Sequence, residues 1–116
     1  MHKYYVLFRI PIASIDDWMK NVSAAERKTQ SDDVMQKWKE WAEEHADAIV
    51  DAGSPLGKTK TVTKDGIADS RNDLNYVMII QADSHDAAAE LIASNPHVQM
   101  IPTSSADVID IPHMGM

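Results

Sequence analysis

The stretch "LNYVMIIQADSHDAAAELIASNP", residues 74–96, changes its period halfway along, and that change decides the fold class. Residues 74–82 are rich in β-branched and aromatic side chains and read as a central strand. Ser84 then stands where a helix N-cap belongs, ahead of an Ala-rich segment that Pro96 prevents from continuing. A strand thus runs directly into a helix.

Working outward, residues 3–10 ("KYYVLFRI") form a first strand, stopped by Pro11, which has no amide hydrogen for a ladder. Residues 13–30 accommodate two short helical pieces, one with Ser14 ahead of Asp17 and one opened by the capping box Ser23 to Glu26. Ser31 caps a longer helix over residues 32–52, closed by Gly53, the residue best suited to the left-handed conformation after a helix end. The Thr/Lys alternation of residues 56–70 reverses at Asp65-Gly66 and predicts a solvent-washed hairpin serving as an edge strand. Residues 105–114 close the chain with a short strand carrying Val108, Ile109 and Ile111. The order is β-α-β-β-α-β, an α+β arrangement, and the 116 residues suit one domain.

Composition narrows the function. A formal net charge of -7 repels phosphate backbones and anionic membrane surfaces, so neither nucleic acid nor membrane is an expected partner. No apolar run approaches the roughly 20 residues of a membrane helix, no signal peptide opens the chain, and cytoplasmic residence is the default expectation. The absence of cysteine removes disulfides, thiolate metal sites and cysteine nucleophiles. The glycines at 53, 57, 66 and 115 build no phosphate-binding loop, and no histidine pair has metal-site spacing, so neither cofactor nor metal is expected.

The opening "KYYVLFRI", Trp38 and Trp41 leading to Ala52-Gly53, Gly66 in a Thr-rich hairpin, "NYVMIIQADSHDAAAELIASNP" and the closing "ADVIDIP" together resemble the YCII-related family, which includes the group known for a DGPF motif. The resemblance implies a ferredoxin-like sandwich with an antiparallel sheet, paired through that sheet into a dimeric α+β barrel with a pocket. It also implies a small-molecule binder or a cofactor-free enzyme, a His/Asp pair being the working group suggested in some relatives. This chain departs from the pattern: Asp65-Gly66 is followed by Ile67-Ala68, so DGPF is missing, and residues 11–31 have no counterpart.

Candidate site residues follow from periodicity. At 100° per residue Val34, Trp38, Trp41, His45 and Ile49 share one helix face, so His45 points at the sheet. It is either a packed ring beside the tryptophans or a general base at a helix–sheet cavity, and Trp38 and Trp41 are core before they are ligand platforms. His97 follows a helix end, either a surface polar residue or a mobile catalytic group; Asp83, at the strand-to-helix junction, completes the catalytic candidates. His2, His85 and His113 read as terminal or exposed. Along the first strand Tyr4, Val6, Phe8 and Ile10 should meet the helices, and Tyr5, Leu7 and Arg9 face away. Tyr5 and Arg9 could fix an anionic or carbonyl ligand in a dimer barrel, with Asp110 opposing Arg9 as a salt bridge or ligand group. Met78, Met100, Met114 and Met116 are either lining for such a surface or core filler. Leu7, Val77 and Ile79 on the outward face call for a homodimer partner.

Overall fold

A computed structural model describes residues 1–112. The chain is α+β: β1 (His2–Arg9), α1 (Ile12–Asn21), α2 (Ala24–Glu44), β2 (Ile49–Pro55), β3 (Thr59–Thr63), β4 (Gly66–Ser70), β5 (Leu74–Ala82), α3 (His85–Ala93), α4 (Pro96–Met100) and β6 (Ser105–Asp110), with a single 3-10 turn at Ala46–Ala48. Four strands form one sheet in the order β2-β5-β1-β6, each neighbouring pair antiparallel. The expected last strand ends at Asp110; of its predicted continuation, His113 and Met114 lie outside the described residues, as does Met116.

Alternation along β1 sorts the molecule into two faces. Tyr4, Val6 and Phe8 are buried with Met78 and Ile80 of β5, Trp41 of α2, and Ala88 and Ile92 of α3. Phe8 sits at the centre of this core, edge-on to Trp38 (5.6 Å between centroids), Tyr76 (6.1 Å) and His97 (4.9 Å). Edge-to-face packing of this kind adds to the area each ring buries. The Trp41 indole nitrogen donates to Ser94 Oγ at 3.0 Å, and Ser94 Oγ donates in turn to the Leu91 carbonyl, tying α2 to the end of α3. Met78 is 1% exposed and packs in this core.

The helix over residues 32–52 is corrected at both ends. Ser23, not Ser31, is the cap: its Oγ accepts from Glu26 N at 3.2 Å, and α2 runs from Ala24 through the site of the expected second short piece. α2 stops at Glu44 with His45 as its C-cap, and the β-branched pair Ile49-Val50 opens an edge strand instead. Ile49 pairs with Ile80 and packs on the core, so it points inward as a strand residue just as it would from a helix. Gly53 therefore ends no helix; at φ +77 it lies inside β2. Pro11 occupies the cap position of α1, and Ser14 Oγ bonds Thr103 Oγ1 at 2.8 Å.

The hairpin of residues 56–70 forms, but as a two-stranded sheet of its own rather than an edge of the main one. Thr63 pairs with Gly66, so Lys64 and Asp65 make the reversal, one position earlier than the Asp65-Gly66 expectation. Together with α1 and the first part of α2 it spreads the molecule into a slab of 46 × 44 × 18 Å, with a radius of gyration of 16.0 Å. A compact chain of this length would have about 13 Å.

Candidate functional site

Among the described residues no helix covers the second face of the sheet. Tyr5 pairs with Ile79 on one side and Ile109 on the other, and Leu7 pairs with Val77 and Asp107, so these side chains form one patch. Tyr5 and Ile109 are exposed, and Leu7, Val77 and Ile79 are half-buried. Toward the β2 edge the patch deepens into an open concavity of ≈ 380 Å³, lined by Tyr5, Asp51, Gly53, Ser54, Val77, Met78 and Ile79.

That concavity comes from two bulges in β2, where register slips against β5 between Ile49 and Asp51 and again between Asp51 and Ser54. Bulges bend a strand and sharpen its twist. Asp51 Oδ1 holds the bend by accepting from Gly53 N at 2.8 Å, and the Tyr76 hydroxyl donates to the Ala52 carbonyl at 2.6 Å from the far side. A Cβ on Gly53 would lie 1.7 Å from the Val77 carbonyl oxygen, so only glycine permits this approach. The polar groups facing the concavity are the Asp51 carboxylate, the Ser54 hydroxyl and the Tyr5 phenol.

Arg9 shares the open face but is already engaged. Its Nε donates to Asp107 Oδ2 at 2.7 Å and its Nη1 to Asp73 Oδ1 at 2.5 Å. These hydrogen bonds, to Asp107 first and then Asp73, push the guanidinium further toward its charged form. The expected opposition of Arg9 and Asp110 is corrected: Asp110 pairs with Tyr4 at the other end of β1, whereas Arg9 pairs with Ser105. Asp107, two residues from Ser105, returns to the face of Arg9, and Asp110 falls on the other parity. Asp110 acts instead on Tyr4, whose phenol is pushed up by burial and, secondarily, by that carboxylate.

The catalytic candidates do not meet at this concavity. His45 caps α2, half-buried, with its ring 5.0 Å from Trp41 on the helix side of the sheet. Trp38 and Trp41 stack edge-on at 5.5 Å within the core, so they serve packing rather than the open face. His97 is not a mobile loop residue: it is 3% exposed in α4, against Phe8, with Nε2 at 3.5 Å from the Arg9 carbonyl. Asn95, fully buried, accepts from His97 N at 2.8 Å and so caps α4. Asp83 is exposed in the β5–α3 turn. His85, exposed as expected, stacks on Tyr4 at 5.1 Å with Nε2 at 2.7 Å from the Val108 carbonyl. Among the described residues no histidine bonds a carboxylate, and no cluster of three His, Asp or Glu could hold a metal.

Asp51 and Ser54 escape the sequence reading because the helix expected over residues 32–52 takes in Asp51 and ends at Gly53, leaving Ser54 just beyond it. The run Ile49-Val50 bounded by Gly53 and Pro55 was the available strand signal. Val77 and Ile79 are legible from alternation alone.

Burial holds the His97 imidazole below its ordinary 6.5, an effect partly offset by the Arg9 carbonyl. The folded chain therefore binds that proton more weakly than the unfolded chain. Stability is complete above pH 6.5 and is lost as pH falls from there through the lower folded value. Melting temperatures should thus decline below pH 6.5, and less so in His97→Leu; equal slopes for both proteins would refute this role for His97.

No protein-family model matches the chain, and no curated protein sequence matches it. Among the described residues no helix is long and apolar enough to cross a membrane.

Proposed function

We propose that this chain is a YCII-related small-molecule binder that works as a homodimer, two ferredoxin-like sandwiches facing each other through their sheets as an α+β barrel. The observation that carries the proposal is the uncovered patch of Tyr5, Leu7, Val77, Ile79 and Ile109, which deepens at Asp51 and Ser54. The strand order β2-β5-β1-β6 supports the ferredoxin-like reading, because it comes from two crossovers that leave the helices on one face and the other face bare. An apolar patch of this kind is seldom left in water by a monomer. A second copy related by a two-fold axis covers it with the same patch and closes the concavity.

The ligand chemistry follows from the groups that remain free. Arg9 stands between two carboxylates whose combined charge exceeds its own, which weakens the anion grip expected of it, and the concavity presents Asp51, Ser54 and Tyr5 beside apolar Val77 and Ile79. This set suits a small, largely apolar molecule bearing a hydroxyl or an amine. Catalysis by a histidine base draws no support from the geometry, because His45 and His97 belong to the helix side.

Light scattering of the wild-type chain should report a dimer at micromolar concentration, and Leu7→Asp should convert it to a monomer by placing an unpaired charge in the contact. A thermal-shift screen of small phenols, amines and carboxylates tests the ligand. At 100 times its dissociation constant a ligand adds about 2.7 kcal/mol, and Tyr5→Ala should abolish the shift with the fold intact. A monomeric wild type refutes the barrel; a preference for carboxylates refutes the ligand class.

A further inference from the structure

The β3–β4 hairpin lies outside the main sheet, and among the described residues its apolar tip is left exposed. Val62 and Ile67 pair directly across it and are 69% and 71% exposed. Lys60 and Asp69 bridge at 2.6 Å on the same face nearer its root, and Thr61 Oγ1 bonds Ser70 Oγ at 2.7 Å on the other. At its base Asn72 Nδ2 donates to Thr59 Oγ1 at 3.3 Å. An isolated two-stranded ribbon is marginal in water, and its other positions are polar or small. The Val62–Ile67 pair steadies the ribbon from strand to strand and still leaves most of both side chains exposed.

We propose that this hairpin is a clasp that grips a second copy of the same chain. Two features identify the occupant. The first is position: the hairpin leaves the end of β2, whose Asp51 and Ser54 border the open face, and returns into β5, whose Val77 and Ile79 line it. A copy laid on that face lies beside the root of the hairpin, and five extended residues reach about 17 Å beyond it. The second is charge. Lys58, Lys60 and Lys64 against Asp65 and Asp69 leave the hairpin at +1 (3 − 2), on a chain whose total is -7, so the rest of the chain carries -8. The acidic surface of a second molecule of this protein complements that charge. The inference rests on the dimer reading above and adds a second, separable contact to it.

The paired substitution Val62→Thr with Ile67→Thr removes the anchor while keeping β-branched residues in the ribbon. Sedimentation velocity should show dimer dissociation raised by about tenfold or more, the range expected when two anchors are lost. An unchanged dissociation constant, with Leu7→Asp still splitting the dimer, would overturn the clasp and leave the sheet contact standing. Weakening by the hairpin pair without any effect of Leu7→Asp would support the clasp and overturn the sheet contact. A wild type that stays monomeric overturns both. A second readout uses the absence of native cysteine: Val62→Cys carrying a nitroxide holds the only thiol-linked label in the chain. Its spectrum should be immobilised in the dimer and loosen on dilution, whereas a label equally mobile at every concentration would overturn the clasp.

Discussion

Gly53→Ala should cost at least about 3 kcal/mol, which places it among the severe single substitutions. Two penalties combine. The residue holds φ +77, where a side chain costs roughly 1–2 kcal/mol. The added methyl would also lie 1.7 Å from the Val77 carbonyl oxygen and 2.9 Å from Met78 Cα, both main-chain atoms of a central strand with no freedom to retreat. Relief requires β2 to peel from β5, which exposes Ile49 and Ile80 and flattens the wall of the concavity. Urea unfolding followed by tryptophan fluorescence measures the loss. A loss below about 1 kcal/mol would mean that the bulge is not built as described. Ligand binding should fail with it, since Asp51 and Ser54 are aimed by that bend.

Phe8→Ala should be of similar size, about 3–5 kcal/mol, the usual range for emptying a fully buried aromatic site. Phe8 is 0% exposed and is the ring on which Trp38 of α2, Tyr76 of β5 and His97 of α4 converge. Three elements lose their common contact at once, and the neighbours are large rings that collapse poorly into a gap. Phe8→Leu keeps most of the volume and should cost far less. Thermal or chemical denaturation of the two variants separates them; equal losses would show that volume at this position is not what holds the helices to the sheet.

What could be read from the chain depended on how local the determining chemistry was. The strand at residues 74–82 and the Ser84 cap were legible because each is decided within a few residues: Ser84 Oγ accepts from Ala87 N at 3.0 Å, as its position implies. The two faces of β1 were legible from alternation. The stretch from His45 to Pro55 was not, because Val34, Trp38, Trp41, His45 and Ile49 continue a helical stripe into what is a strand. Inward pointing at Ile49 satisfies either geometry. Gly53 deepened the error, since a positive φ serves a helix end and a bulge equally. The partner of Arg9 required inter-strand register, a non-local quantity: one residue of slip exchanges the faces, and Asp107 and Asp110 lie on opposite parities of β6. The candidate site suffered most, because its polar wall belongs to the misread strand.

α2 meets the hydrophobic core at one end only, its first turns being tied instead to α1 by polar contacts, Arg27 Nη1 donating to the Met19 carbonyl and Trp18 Nε1 to Gln30 Oε1. Of its 21 residues Trp41 alone is buried, and between Ala24 and Lys37 only Arg27 and Val34 are even partly covered. In calorimetric terms, this length of chain contributes few newly wetted apolar atoms when the molecule melts. The heat-capacity increment of the isolated subunit therefore falls below the about 1.4–1.7 kcal/mol/K usual for 116 residues. A smaller increment flattens the curve of stability against temperature, so the core keeps a nearly constant margin over a broad range. The outer turns of α2, which bury little apolar surface, should exchange their amide hydrogens before the sheet does.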